Sequence, residues 1–549
     1  MSDTNTQNES VKTGRKFTDV VKDAFKELAE TFVAFVKAPK ALWGINIPYI
    51  IEGLVYFGIL TILGKYSSEN VGLTDAQAGL VYSFVTGGIT FAMLLLGGWS
   101  DKLGVRASLA LAFIAMLVGR IFVALSGTLG FSNGLWSPMF FTLTGGLLIM
   151  VLAYGLFQPA AYAGVKRYTN KKTAAMGYAV IYGFMNLGAF LSGFISSTTR
   201  HAFTNIFPPN GLTAVFWVYV VLTAVSLLIT LWLINKKTDK DAVARVEKEN
   251  KELEEKGVEI EEEDETEKVV KPDIKINNTF LIIFSVLAVA FFLLSGFGVK
   301  NQINRIYDYK LFGLDARVDV AFILFVIMVI LAVIDYLKRR PYHPFRDKRF
   351  TFFIFILVPV QTLFAHNWLT LPYYLDRAFQ GTLVSQYFEV FSNLNPILIF
   401  ILTPLIAGLT AQANVYKMMI YGTFVMAIPT FLLTIGPNVY MFLLYVLMMT
   451  IGEAMWSPRF LQWIAEIAPE GKVGLYMGVG QFPWFLDKVF TGFYSGWFLE
   501  KYCPKGVPPS EMHTGFMWFI YGLIAIITPI SLVLAKNWML KGFKVKHEG

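Results

Sequence analysis

The chain has 549 residues, of which 55% are hydrophobic, 16% aromatic and 16% charged, against roughly a quarter charged in ordinary soluble domains. That balance excludes a soluble multidomain enzyme, and the single cysteine, Cys503, excludes a disulfide framework and any cysteine-based zinc or iron–sulfur site. The net charge of +8 hides a segregation: residues 239–268 hold 14 acidic and 6 basic side chains, and the remainder is strongly basic.

Residues 1–16 are polar with no apolar core after them, so no cleavable signal peptide is expected. From 17 to 38, Phe17, Val20, Val21, Phe25, Leu28, Phe32 and Phe35 recur at helical spacing, which predicts an amphipathic helix anchoring the cytoplasmic N-terminus (1–45) to the membrane surface. Apolar runs of about 20 residues predict spans near 46–64, 77–98, 104–126, 137–165, 173–197 and 212–234, forming an N-terminal bundle over 46–234. The acidic linker at 235–277 reads either as a solvated helix laced by i,i+4 pairs or as disordered chain. Further spans are predicted near 278–297, 317–337, 350–375, 384–410, 415–435, 438–465, 472–497 and 514–536. The first two form an inserted hairpin (278–337), and the others a C-terminal bundle (338–536) before a tail at 537–549. The expected fold is an all-α polytopic membrane protein with 14 transmembrane helices, arranged 6 + 2 + 6.

One set of alternate loops is rich in cations: Lys102 and Arg106, then Lys166, Arg167, Lys171 and Lys172, then Lys338, Arg339, Arg340, Arg346, Lys348 and Arg349. The positive-inside rule therefore places both termini and the linker in the cytoplasm of a cell whose inner (plasma) membrane the chain crosses. Lys300, Arg305, Lys310 and Arg317 in one opposite loop run against that trend.

Four segments carry chemistry. Between spans two and three stands Gly97-Gly98-Trp99-Ser100-Asp101-Lys102-Leu103-Gly104-Val105-Arg106, where glycines permit a tight turn; its bland reading is an ordinary Gly-rich loop. Span five contains Ile181-Tyr182-Gly183-Phe184-Met185-Asn186-Leu187-Gly188-Ala189-Phe190. Later come Phe391-Ser392-Asn393-Leu394-Asn395-Pro396 and Gly452-Glu453-Ala454-Met455-Trp456-Ser457-Pro458. Asn186, Asn395 and Glu453 fall inside apolar helices, where an unpaired polar group is costly, so they face a cavity or each other.

The loop resembles the G-x-x-x-D-[RK]-x-G-x-[RK] motif of the major facilitator superfamily, with Gly97, Asp101, Gly104 and Arg106 in the motif positions. The other three segments resemble signatures of its proton-dependent oligopeptide transporters. The resemblance runs over about residues 45–535 and implies two six-helix halves rocking around a central site. It also implies that Asn186, Asn395 and Glu453 clamp a substrate's amino terminus; a buried structural hydrogen bond is the competing reading for each.

The departures fall on one end of that site. In Tyr49-Ile50-Ile51-Glu52-Gly53-Leu54-Val55-Tyr56-Phe57-Gly58, matched to the family's E-x-x-E-R-F-x-Y-Y-G, only the second glutamate remains, and a later arginine reads Leu60. The lysine of span four is Gln158, and the glutamate of core span seven is Ala365, beside His366. In the family the missing cations bind the peptide carboxylate and take part in proton-linked switching. Glu52, His366 and Asp487 are therefore the proton-coupling candidates, and a hydrogen-bonded core histidine is the alternative for His366. Lys488 stands in for the absent cation, or else Asp487 and Lys488 each join an interhelical ion pair. Tyr56, Tyr182, Trp368, Tyr373, Tyr374 and Trp484 would line a pocket or simply pack. Glu389 is placed near the external mouth.

No phosphate loop, metal-ligand spacing or nucleophile elbow is present, so no enzyme activity, cofactor, metal or nucleic-acid partner is expected. The chain reads as a monomeric secondary transporter importing di- or tripeptides, or peptide-like amines, with protons. The alternatives are a facilitator or exporter of another amphipathic metabolite or drug, and a non-transporting membrane receptor.

Overall fold

A computed structural model describes residues 38–170, 173–255, 278–294, 305–311, 314–340, 343–410, 413–467, 476, 479–480 and 482–547. The amphipathic helix expected at 17–38 and most of the linker beyond 255 lie outside the described residues.

Long apolar runs dictate long helices, because backbone groups in hydrocarbon must be satisfied within the segment. The N-terminal series is α1 (Lys40–Glu69), α2 (Asp75–Leu103), α3 (Val105–Ser126), α4 (Pro138–Tyr168), α5 (Ala174–Phe203) and α6 (Leu212–Leu233), followed by the linker helix α7 (Lys236–Glu255). Next come α8 (Thr279–Leu294), a two-stranded antiparallel hairpin of β1 (Arg305–Leu311) and β2 (Leu314–Asp319), and α9 (Val320–Lys338). The C-terminal series has its first span in three pieces, α10 (Lys348–Ile356), α11 (Val358–Leu369) and α12 (Leu371–Ala378). The breaks fall next to Pro359 and Pro372, which lack the amide that would continue the helix. Short α13 (Leu383–Gln386) and α14 (Phe388–Ser392) lead into α15 (Leu394–Leu409), then α16 (Val415–Ala427), α17 (Val439–Ile467), α18 (Phe482–Tyr502) and α19 (Thr514–His547).

Among the described residues, eleven helices are long and apolar enough to cross a membrane. The other three predicted spans coincide with α2, α8 and α18, which fall short of that measure, so the count of 14 is not established. Helix α8 has only 16 described residues, and α18 carries Asp487, Lys488, Glu500 and Lys501.

Helices α1 to α6 pack around one hydrophobic core, and α10 to α19 around a second one built on Phe353, Trp456, Trp463 and Trp518. Helices α8 and α9 pack on each other. The halves meet where α1 touches α11, α2 lies along α18, and α5 meets α14 and α15. The α2–α18 contact is backbone-close: a Cβ on Gly79 would lie 2.4 Å from the Gly492 carbonyl oxygen. At one end of the molecule ion pairs tie the halves together. Lys65 Nζ reaches Asp376 at 2.5 Å, Arg377 reaches Asp75 at 2.6 Å, and Arg200 pairs with Glu389. Loop charges predict this end to be external.

The tight turn expected between Gly97 and Arg106 is made by Gly104, whose φ of +79° suits a residue without Cβ, and α2 runs on past the predicted end of its span through Asp101 to Leu103. One expectation needs correction: the linker is not wholly solvated. Asp239 accepts from Arg167 Nε at 2.9 Å and from the Tyr168 hydroxyl at 2.7 Å, Asn170 donates to Glu249 at 2.8 Å, and Ala242 is buried, so α7 docks against the ends of α1 and α4.

Hydrogen bonds from the Arg167 guanidinium, opposed by part burial, hold the Asp239 carboxyl below its usual range. A carboxyl held down in the docked state strengthens docking above that range, and the gain is lost as pH falls below about 4. Hydrogen exchange of α7, corrected for intrinsic rates, should rise across that window in the wild type. In Asp239→Asn it should be raised at neutral pH and lose this dependence. Equal protection of the two chains at neutral pH would show that Ala242 and Val243 hold the helix without the charge.

Candidate functional site

Polar groups stranded in apolar helices locate the site. In the N-terminal half, Glu52 on α1 is 3% exposed and is held by Arg120 of α3, whose Nη1 donates at 2.9 Å while Nη2 meets the second carboxylate oxygen. Arg120 Nη2 also donates to the Tyr154 hydroxyl on α4 at 2.9 Å, and that hydroxyl meets Glu52; Thr223 of α6 closes the cluster. Tyr56 packs edge-on against Tyr154, 5.3 Å between ring centroids. Arg120 escaped the motif comparison because it matches no motif position. Its signal was a lone arginine midway along an apolar run, which marks an intramembrane functional group by its cost alone.

The structure also explains the missing arginine at position 53. A Cβ on Gly53 would lie 2.8 Å from the Met185 carbonyl oxygen, so α1 and α5 approach too closely there for any side chain. The counter-charge for Glu52 therefore comes from α3. Gln158 on α4 is half-buried and makes no hydrogen bond among the described residues. Leu60 and Ala365 are buried in apolar packing.

In the C-terminal half, Asn395 Nδ2 donates to Glu453 Oε2 at 2.8 Å and lies 3.0 Å from the Thr450 hydroxyl, joining α15 to α17. Glu453 is 3% exposed and has no ion pair among the described residues. Tyr182 of α5 lies within electrostatic range of Glu453 and leaves 47% of its own surface exposed. Asn186 donates to the Tyr182 carbonyl at 3.0 Å instead of to the carboxylate. Two of the three clamp residues are thus joined in this state and the third stands one turn from Tyr182.

His366 is fully buried on α11, with Nδ1 at 2.6 Å from the Thr370 hydroxyl, Nε2 at 3.1 Å from the Tyr494 hydroxyl of α18, and its ring stacked on Tyr521 of α19 at 4.0 Å. Asp487 is fully buried on α18; Oδ1 accepts from Thr491 at 3.2 Å and Oδ2 has no partner among the described residues. Neither Asp487 nor Lys488 forms an ion pair among the described residues, so the interhelical pairs weighed for them are not found; Lys488 is half-buried beside its neighbour.

The aromatics divide. Trp368 is 4% exposed, donates to Asn393 Oδ1 at 3.1 Å and packs on Phe57 of the other half; Asn393 in turn donates to Thr61 at 3.0 Å. Tyr373 and Tyr374 are buried near the closed end and in the second core, so neither lines an opening. Trp484 stacks on Trp456 with 6.2 Å between centroids, and is half-buried. Glu389 is buried against Arg200, which also donates to the Gln386 carbonyl at 2.8 Å.

The sequence profile of the Major Facilitator Superfamily matches residues 45–379. Similar in structure is a peptide transporter POT in complex with sulfate, at 16% identity and a TM-score of 0.63 over 92% of this chain and 96% of that one. A bacterial homologue of the human drug peptide transporters PepT1 and PepT2 aligns at 16% identity and 0.60, over 91% and 99%. A variant of peptide transporter POT in complex with alafosfalin aligns at 15% identity and 0.58, over 92% and 96%. No curated protein sequence matches significantly.

Proposed function

The chain belongs to the Major Facilitator Superfamily, and from that premise we propose that it imports small peptides or peptide-like amines together with protons, by alternating access. It is a transporter and not an enzyme. The observation that carries the substrate class is Glu453: an intramembrane carboxylate braced by an amide and lacking a cation among the described residues. A substrate ammonium supplies that cation, and a charge-assisted bond to a carboxylate is among the stronger polar contacts available. Lys488 and Gln158 are the groups we assign to the acidic end of the substrate, with Asn186 turning toward the ammonium as the halves close.

In this reading the cytoplasmic side is open, and the pairs Lys65–Asp376, Arg377–Asp75 and Arg200–Glu389 seal the outside. Rocking exchanges that seal for contacts at the opposite end. Glu52, His366 and Asp487 are the coupling candidates, since coupling requires a proton that binds one state better than the other.

One observation favours a second reading. The N-terminal cations that would meet a peptide carboxylate are absent, with Gly53 and Gln158 in their places and Arg120 occupied by Glu52. A carrier of another amphipathic amine fits that arrangement. Uptake of labelled dipeptides into proteoliposomes separates the two. Saturable uptake accelerated by an inward proton gradient is expected; uptake indifferent to the gradient would overturn coupling, and no uptake of any dipeptide would overturn peptide import.

A further inference from the structure

Resting on the alternating-access reading above, we propose that protonation of Asp487 sets the packing of α2 against α18, and that Thr491, Tyr494 and His366 form a hydrogen-bonded path joining it to α11. Asp487 sits near the start of α18, within its contact with α2. On one side of it, Gly492 meets Gly79 and Gly496 meets Asp75 and Ala76; on the other, Gly87 lies against Val489 and Phe485. The Ser83 hydroxyl donates to the Val489 carbonyl at 3.1 Å, so the interface is closed over its length. Within it, Asp487 is fully buried and keeps one oxygen without a partner among the described residues.

The groups around Asp487 make it the one whose charge the interface must answer. From α2, Tyr82 lies within electrostatic range of it, and Tyr56 of α1 within range of Tyr82. On its own helix are Lys488, directed away by the turn of about 100° per residue, and Tyr494. From α11 comes His366, and from α19 Tyr521, stacked on that imidazole. At the end of the contact, Asp75 is committed to Arg377, and Glu500 accepts from the Ala76 amide at 2.9 Å. A carboxylate without a counter-ion opposes burial, whereas its neutral form does not. Closed α2 and α18 therefore hold Asp487 as the acid, and its ionisation drives them apart. A single proton then biases the rocking equilibrium in the element that closes the two halves.

Thr491 donates to Asp487 one turn away, Tyr494 lies beside Thr491 and Thr362, and its hydroxyl meets His366, whose other nitrogen meets Thr370. When the Thr491 hydroxyl turns from Asp487 to Tyr494, a proton leaving Asp487 passes through the two hydroxyls to the His366 imidazole, and the reverse relay returns it. His366 and Tyr494 are positioning residues in this scheme, and Asp487 carries the charge.

The test uses the full chain in lipid and needs no substrate. Infrared difference spectra between acid and alkaline buffer should contain a protonated-carboxyl band that is lost in Asp487→Asn. Spin labels at positions 84 and 490 of a Cys503→Ser chain should report α2 and α18 moving apart as pH rises, and Asp487→Asn should abolish that movement. Tyr494→Phe keeps the ring and removes the hydroxyl. It should retain the band and displace its midpoint by roughly one pH unit, and serves alone if Asp487→Asn does not fold. An unchanged band and pH-dependent separation in Asp487→Asn would overturn the switch, and a wild-type midpoint in Tyr494→Phe would overturn the path. Absence of peptide uptake would leave both results standing, so failure of the substrate reading and failure of this one are distinguishable.

Discussion

Replacing Arg120 with methionine should destabilise the N-terminal half more than any other single substitution among the residues considered. Methionine fills a similar volume, so little packing is lost. Glu52, however, would then be 3% exposed among α1, α3, α4 and α6 with no cation, and Tyr154 and Thr223 could offer it only hydroxyls. Breaking a buried pair by removing one partner costs about 3–5 kcal/mol, whereas removing both partners is often neutral. Thermal unfolding in detergent should accordingly show a large drop for Arg120→Met, and a smaller one when Glu52→Gln is added. The double-mutant cycle measures the coupling directly. A single variant that melts with the wild type would mean that water reaches Glu52, and the pair would then lose its structural role.

That cluster marks the boundary of what the primary structure discloses. Apolar run length places helices under every predicted span, since length and hydropathy are properties of contiguous sequence. The Asn395–Glu453 contact was legible because both residues are polar interruptions of apolar helices within recognisable motifs. The ion pairs between the halves were not: Lys65 and Asp376 are 311 residues apart, Arg200 and Glu389 are 189 apart, and each looks like an ordinary helix-end charge until the halves are folded together. In the sequence Gly53 stands where the family has an arginine. In three dimensions it is a steric requirement of the α1–α5 crossing, so the compensating charge arrives from α3, outside any motif. In the sequence Asp487 and His366 are separate candidates; the folded chain adds Thr491, which donates to the first, and Tyr494, which meets the second.

The isosteric change Glu453→Gln should reduce affinity for a dipeptide with a free amino terminus by about 30-fold, equivalent to about 2 kcal/mol at the lower end of what truncating a buried charge pair costs. The amide keeps a carbonyl oxygen at the position of Oε2, so the 2.8 Å bond from Asn395 can persist and α15 remains joined to α17. What disappears is the negative charge, which among the described residues has no cation of its own and would be neutralised by the ligand. Calorimetric titration with a dipeptide and with its N-acetylated form isolates this effect. The wild type should prefer the free amine, and Glu453→Gln should bind the two nearly alike because acetylation and the substitution remove the two partners of a single contact. Undiminished preference for the free amine in the variant would move the ammonium away from Glu453. Tyr182, within electrostatic range of that carboxylate and with 47% of its surface exposed, would then be the residue from which to search for the site again.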